Sequence, residues 1–216
     1  QGVMGGSPVQ AGSAITPMVV GWPIASAISG RLIPRLGFRP LIRTGLGISA
    51  LAAAGMAYFL QPGSSLVIAP IGSALFGVGL GFANTALLIA VQTSVDWARR
   101  GVATASTMFA RTMGGALAIG AMGAVLASAF ARDPTIPADA ANLLLAPDHG
   151  ASLGPTVLQH LSGVLEGSLS TIFWMIFGLA AAAFAVSWWF PEISVSARPR
   201  RDEAVRLPAL EHASYE

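Results

Sequence analysis

Cysteine and lysine are both missing from the 216 residues, and charge of either sign is scarce. Without cysteine there can be no disulfide, thiolate metal site or thiol nucleophile. Charged residues make up 10% of the chain, against roughly 25% in soluble domains. So few charges cannot cover a water-facing surface of this size. Hydrophobic types reach 54% and mean hydropathy is +0.67, so lipid is the solvent that suits the surface. The basic residues are all arginine and lie between apolar segments. They form no stripe interleaved with aromatics, which argues against a nucleic-acid partner. No HExxH, Gly-rich phosphate loop or nucleophile–base–acid set is present, so the chain reads as a non-enzyme with no implied cofactor. His149 and His160 have no companions at zinc-ligand spacing, and no metal site is expected. The sequence opens on Gln1 with no charged region leading into an apolar one. That start is expected to be a cut through a longer chain, with no signal peptide.

What is abundant is uninterrupted apolar sequence. A membrane helix needs about 20 such residues. No charge occurs from Gln1 to Gly30 or from Thr44 to Val95. The second stretch is too long for one span, and Gln61-Pro62-Gly63-Ser64-Ser65 divides it with turn residues. The expected architecture is all-α and integral to the membrane, with five spans at about 12–32, 41–60, 66–93, 102–130 and 167–190. A loop rich in Pro, Asp and Ala is expected over 131–166, and a polar tail over 191–216.

Alternate loops must fall on opposite sides of the bilayer. Arg31, Arg35, Arg39 and Arg43 flank the first connection, Arg99 and Arg100 the third, and Arg198, Arg200, Arg201 and Arg206 lie in the tail. The opposite side has only Arg132, beside Asp133, Asp139, Asp148 and Glu166. The positive-inside rule places the arginine side and the C-terminus in the cytoplasm. Trp188 and Trp189 then sit at the inner end of the last span, where indoles favour the interface.

The remaining arginine, Arg111, falls about ten residues into the fourth segment, roughly 15 Å along the helix. An unpaired arginine there costs at least about 2.5–3.5 kcal/mol. It can line a polar cavity and contact substrate or hold a gate. It can equally be neutralised by carbonyls or an amide and serve packing alone, or snorkel towards the cytoplasm. Thr104, Thr107, Met108 and Arg111 share a helical face, which is expected to turn inward, shielding Arg111 from lipid and placing its head group beside the third segment. Counting outward from Ala98, the turn of the hairpin, brings Asn84 opposite Thr112 and near Arg111, with Thr85 beside it. The bland alternative is that Asn84 bonds only to backbone. Gly77 and Gly81, and Ala116, Gly120 and Ala124, have the small-xxx-small spacing of close helix packing; Gly115 is expected to leave room for a partner. Pro17 and Pro23 should kink the first helix. The second and fifth segments carry almost no polar side chain in mid-span and read as lipid-facing.

Several motifs add a resemblance. Gly6-Ser7-Pro8-Val9-Gln10-Ala11-Gly12 with Pro17, then Gly30-Arg31-Leu32-Ile33-Pro34-Arg35-Leu36-Gly37-Phe38-Arg39, occur in order. Arg99-Arg100-Gly101-Val102-Ala103-Thr104-Ala105 and Phe109-Ala110-Arg111-Thr112-Met113-Gly114-Gly115-Ala116-Leu117 follow. Together they resemble the C-terminal part of the drug:proton antiporters of the major facilitator superfamily, the fourteen-helix multidrug exporters especially. The second run is similar to the family's cytoplasmic loop motif, in which Gly30 and Gly37 permit a tight turn and Arg31, Arg35 and Arg39 anchor it or simply fix topology. It departs from the family at Pro34, where an acidic residue is usual. The resemblance implies a multi-pass protein of the bacterial cytoplasmic membrane that expels small hydrophobic or cationic compounds by alternating access, coupled to protons. It implies that the N-terminal half, the missing partner, holds the coupling carboxylates, so that the piece alone is inactive. The reading of the residues themselves makes Arg111, Asn84, Thr85 and Thr107 the candidate substrate-binding or cavity-lining set. The alternative is a truncated, non-transporting membrane protein that only packs with partner helices.

Overall fold

A computed structural model describes residues 8–60, 67–131 and 155–193. Among these residues helix dominates, and there is no strand. Helix α1 runs Pro8–Leu36, α2 Phe38–Phe59, α3 Ile68–Thr93, α4 Arg100–Ala131 and α5 Pro155–Val186. Short 3-10 turns, Trp97–Arg99 and Ser187–Trp189, precede α4 and close α5. The described residues of α2, α3, the α4 region and α5 are long and apolar enough to cross a membrane. The first expected span is long enough at 29 residues, though the described residues of α1 are not among those four.

Helix α3 is the central column, with α1 against one side and α2 against the other; α5 packs on the far side of α2. Glycine makes this possible. Two residues along an α-helix turn the side-chain direction by about 200°, so Gly77 and Gly81 face away from Gly79. A Cβ on Gly77 would lie 2.6 Å from the Met18 carbonyl oxygen, and one on Gly81 would lie 2.6 Å from that of Trp22. Both therefore seat the backbone of α1. On the opposite face, Gly79 meets Gly45 and Ser49 of α2, where a Cβ on Gly45 would lie 2.5 Å from Ala83 N. Lipid gives no hydrophobic drive for helix association, so van der Waals contact at this closeness and interhelical hydrogen bonds hold the bundle. Ser73 Oγ donates to the Ala14 carbonyl at 2.6 Å, Ser29 Oγ to that of Phe82 at 3.1 Å and Ser26 Oγ to that of Gly81 at 3.4 Å, all between α1 and α3.

Several boundaries differ from the sequence expectation. The first connection shrinks to the single residue Gly37, at φ +79° and ψ 177°, a conformation essentially confined to glycine. Helix α5 begins at Pro155, not near 167, so Glu166, expected in a loop, lies inside a helix and half-buried. Hydropathy detects the part of a helix that suits hydrocarbon, whereas a helical backbone can continue beyond it. The connections 61–66 and 132–154 and the tail beyond Ile193 lie outside the described residues. Pro17, Pro23 and Pro34 all lie inside α1.

The expectation that the second segment faces lipid is corrected. Phe38, Leu41, Ile42, Gly45, Ser49, Ala50, Ala52, Ala53 and Ala57 of α2 are buried. The helix is sandwiched between α3 and α5, using small apolar residues that hydropathy cannot distinguish from lipid-facing ones. No residue of α4, by contrast, is buried. Helix α4 touches α3 and α5 only sparsely.

Candidate functional site

Two side-chain clusters stand out, one in mid-bundle and one at the end carrying the arginines. The first is built on α1, α3 and α4. Arg111 Nη1 donates to Asn84 Oδ1 at 3.2 Å, and its guanidinium carbon lies 5.4 Å from the centre of the Trp22 ring. Three helices thus converge on one charge. The amide oxygen accepts from the cation and the indole face offers its negative quadrupole, an attraction of about 0.5–2 kcal/mol depending on desolvation. About two turns nearer the start of α4, Gln92 Nε2 donates to Thr104 Oγ1 at 3.3 Å. These contacts join the paired helices α3 and α4.

Arg111 was expected between α3 and α4 and shielded. Its head group does lie beside α3, but the residue remains exposed, because no described helix covers the other side of α4. Thr107 Oγ1 donates to the Ala103 carbonyl of its own helix at 2.9 Å and is half-buried, as is Thr85. Gly115 and Gly120 look onto open space, so the packing expected of them is not made within the described residues. Gly77 and Gly81, on α3, do pack tightly. Trp22 and Gln92 were missed. Counting outward from Ala98 puts Gln92 opposite Thr104, so the arithmetic that brought Asn84 near Arg111 contained this contact too. Trp22 had no such signal, since its meeting with Arg111 depends on how α1 seats on α3.

The second cluster joins the start of α2 to the end of α5. Arg39 Nη1 forms an ion pair with Glu192 Oε1 at 2.9 Å, and its Nη2 donates to the Trp188 carbonyl at 3.3 Å. Arg43 Nη2 donates to the same carbonyl at 3.1 Å and its Nε to that of Ser187 at 3.5 Å. The Arg43 guanidinium lies 4.5 Å from the centre of the Trp188 ring. The last carbonyls of a helix lack intrahelical donors, and cations suit that negative end of the helix dipole. Arg39 thus bonds to the C-terminal end of α5. Arg31 and Arg35 are exposed, and Gly30 borders open space.

The surface around Arg111 is polar at one charge and otherwise apolar or small-residue. Helices α1 to α4 contain no acidic residue, and no metal-binding group of His, Asp and Glu occurs among the described residues.

No family model and no solved structure match the chain. Similarity to curated proteins is extensive, however. The multidrug transporter protein MdtP of Bacillus subtilis is 34% identical over 129 residues, 58% of this chain and 23% of that protein. The aspyridones efflux protein of Neocamarosporium betae is 36% identical over 118 residues, 54% of this chain and 21% of that protein. The multidrug resistance protein B homolog of Mycobacterium tuberculosis is 31% identical over 164 residues, 73% of this chain and 29% of that protein. The chain thus spans between 21% and 29% of the length of these relatives. By sequence and by its bundle of apolar helices it is an all-α, multi-pass membrane protein related to the multidrug efflux and resistance transporters.

Proposed function

We propose that the chain is the C-terminal part of a proton-coupled multidrug efflux pump that works by alternating access. Its place is the bacterial cytoplasmic membrane, with the C-terminus on the cytoplasmic side. The observation that carries this reading is the Arg111 cluster, a charge within an apolar helix that is bonded to Asn84, set against Trp22 and left uncovered on its remaining side. Charges inside membrane proteins face the protein interior or a watery cavity, not hydrocarbon. In facilitator-type transporters, substrate binds near the midplane between two repeats that rock against each other. Helix α4 is therefore a cavity wall, closed in the complete exporter by the N-terminal half. Small hydrophobic or cationic compounds are the cargo and the proton is the coupling ion. Both follow from the similarity to drug exporters, and α1 to α4 hold no carboxylate to carry the proton. Arg111→Ala in the complete exporter should lower drug efflux at least tenfold at unchanged membrane abundance, about 1.4 kcal/mol of lost function. Arg111→Lys should recover only part of it, because lysine lacks the planar fork. Normal efflux by Arg111→Ala would leave the residue a structural role at most.

A further inference from the structure

The arginine-bearing end of the bundle holds a cavity of about 640 Å³, lined by Leu36, Phe38, Arg39, Arg43, Glu192 and Ile193 among others. It has two chemical halves. Leu36, Phe38 and Ile193 are apolar, while Arg39, Arg43 and Glu192 are charged, with two guanidiniums to one carboxylate. Helix α2 begins at Phe38, adding the positive end of its dipole to the same place. Arg39 Nε is buried with no partner among the described residues. The Glu192 carboxylate, which now occupies Arg39, is itself 82% exposed, so little holds it there beyond the pair itself. The depth is marked independently by Trp188 and Trp189, which are exposed beside the cluster. Indoles on the outside of a membrane protein sit at the headgroup level.

We infer that this cavity is a binding site for the headgroup of an anionic phospholipid. The phosphate lies between Arg39 and Arg43 in place of the Glu192 carboxylate, and the first part of an acyl chain lies along Leu36, Phe38 and Ile193. A phosphodiester supplies the missing negative charge and acceptor oxygens for both forks. Basic pockets between helix ends bind lipid headgroups by this balance of charge and apolar contact. Glu192 competes with the lipid for Arg39.

The test uses the whole 216-residue chain in nanodiscs of dioleoylphosphatidylglycerol and dioleoylphosphatidylcholine in equal amounts. The lipid retained on transfer to detergent is counted by native mass spectrometry. The chain should retain phosphatidylglycerol in preference to phosphatidylcholine. Arg39→Gln with Arg43→Gln should lower that preference by about fivefold for each arginine lost. Arg31→Gln with Arg35→Gln removes the same charge from exposed positions nearby and should change it far less. Glu192→Gln frees Arg39 without removing a cation and should raise the preference. If the first double variant does not fold, the Glu192→Gln result decides alone: an unchanged or lower preference overturns the site. Equal losses in the two double variants would overturn it in favour of diffuse surface charge. Abolition of the preference by inorganic phosphate in the buffer would overturn the lipid assignment in favour of a soluble phosphate site.

Discussion

At the scale of single residues, the glycines separate two kinds of position that look alike in sequence. Gly45 and Gly79 face each other across α2 and α3, and a Cβ on either would meet backbone atoms. Backbone cannot give way as a flexible side chain can, so Gly45→Ala and Gly79→Ala should each destabilise the chain by about 1–3 kcal/mol. Unfolding in mixed micelles measures this. Gly115→Ala, whose Cβ would meet nothing within 4 Å, should change stability by less than about 0.5 kcal/mol. Loss of stability in Gly115→Ala equal to that in Gly45→Ala would mean that α4 packs against the chain in a way the structure does not show. Gly77 and Gly81 have the small-xxx-small spacing and meet the backbone of α1, whereas Gly120 shares that spacing with no neighbour among the described residues. Spacing reports that a helix could be approached closely. Whether another helix comes depends on tertiary placement, and Gly45 paired with Gly79 could not be read without it.

At the scale of elements, apolar length and turn residues located the helices, and the boundaries failed where helix and hydrocarbon diverge. The early start of α5 at Pro155 is one such case. The join between α1 and α2 is another: one glycine replaces the expected loop. Gly37→Ala should cost about 1–3 kcal/mol because φ +79° with ψ 177° is strained for any residue with a Cβ. The same micelle unfolding checks it, and a neutral result would require the turn to adopt another conformation. The arginines near this join, with those of Trp97–Arg100, lead to a topological prediction. If the positive-inside rule holds here, a cysteine at Ala98 should label slowly from outside intact cells with an impermeant maleimide, and readily after permeabilisation. Rapid labelling of intact cells would invert the proposed orientation. The chain's lack of native cysteine makes the measurement clean.

At the scale of the whole molecule, α3 is enclosed by α1 and α2, α2 is covered in turn by α5, and α4 is left with an exposed surface along its length. Composition could show that the chain belongs in lipid. It could not show which helices are enclosed, because α2 is buried mostly through alanine and apolar side chains such as Phe38, Leu41 and Ile42, which suit lipid equally well. The Arg111–Asn84 contact was legible because two helices joined by a short turn must run back alongside each other; the Trp22 contact was not, since α1 and α4 are far apart in sequence. An uncovered α4 bearing Arg111 is the form expected of one wall of a two-walled cavity. The chain reconstituted alone should therefore show no saturable, gradient-driven drug uptake.

The most direct test of that wall is the solvent access of Gly115, one turn beyond Arg111 and bordered by open space. In the complete exporter, Gly115→Cys should react with a hydrophilic maleimide that enters through the cavity, and transported drug should slow the reaction. Reaction only with a lipid-soluble reagent, at a rate indifferent to drug, would place α4 against lipid and contradict the account.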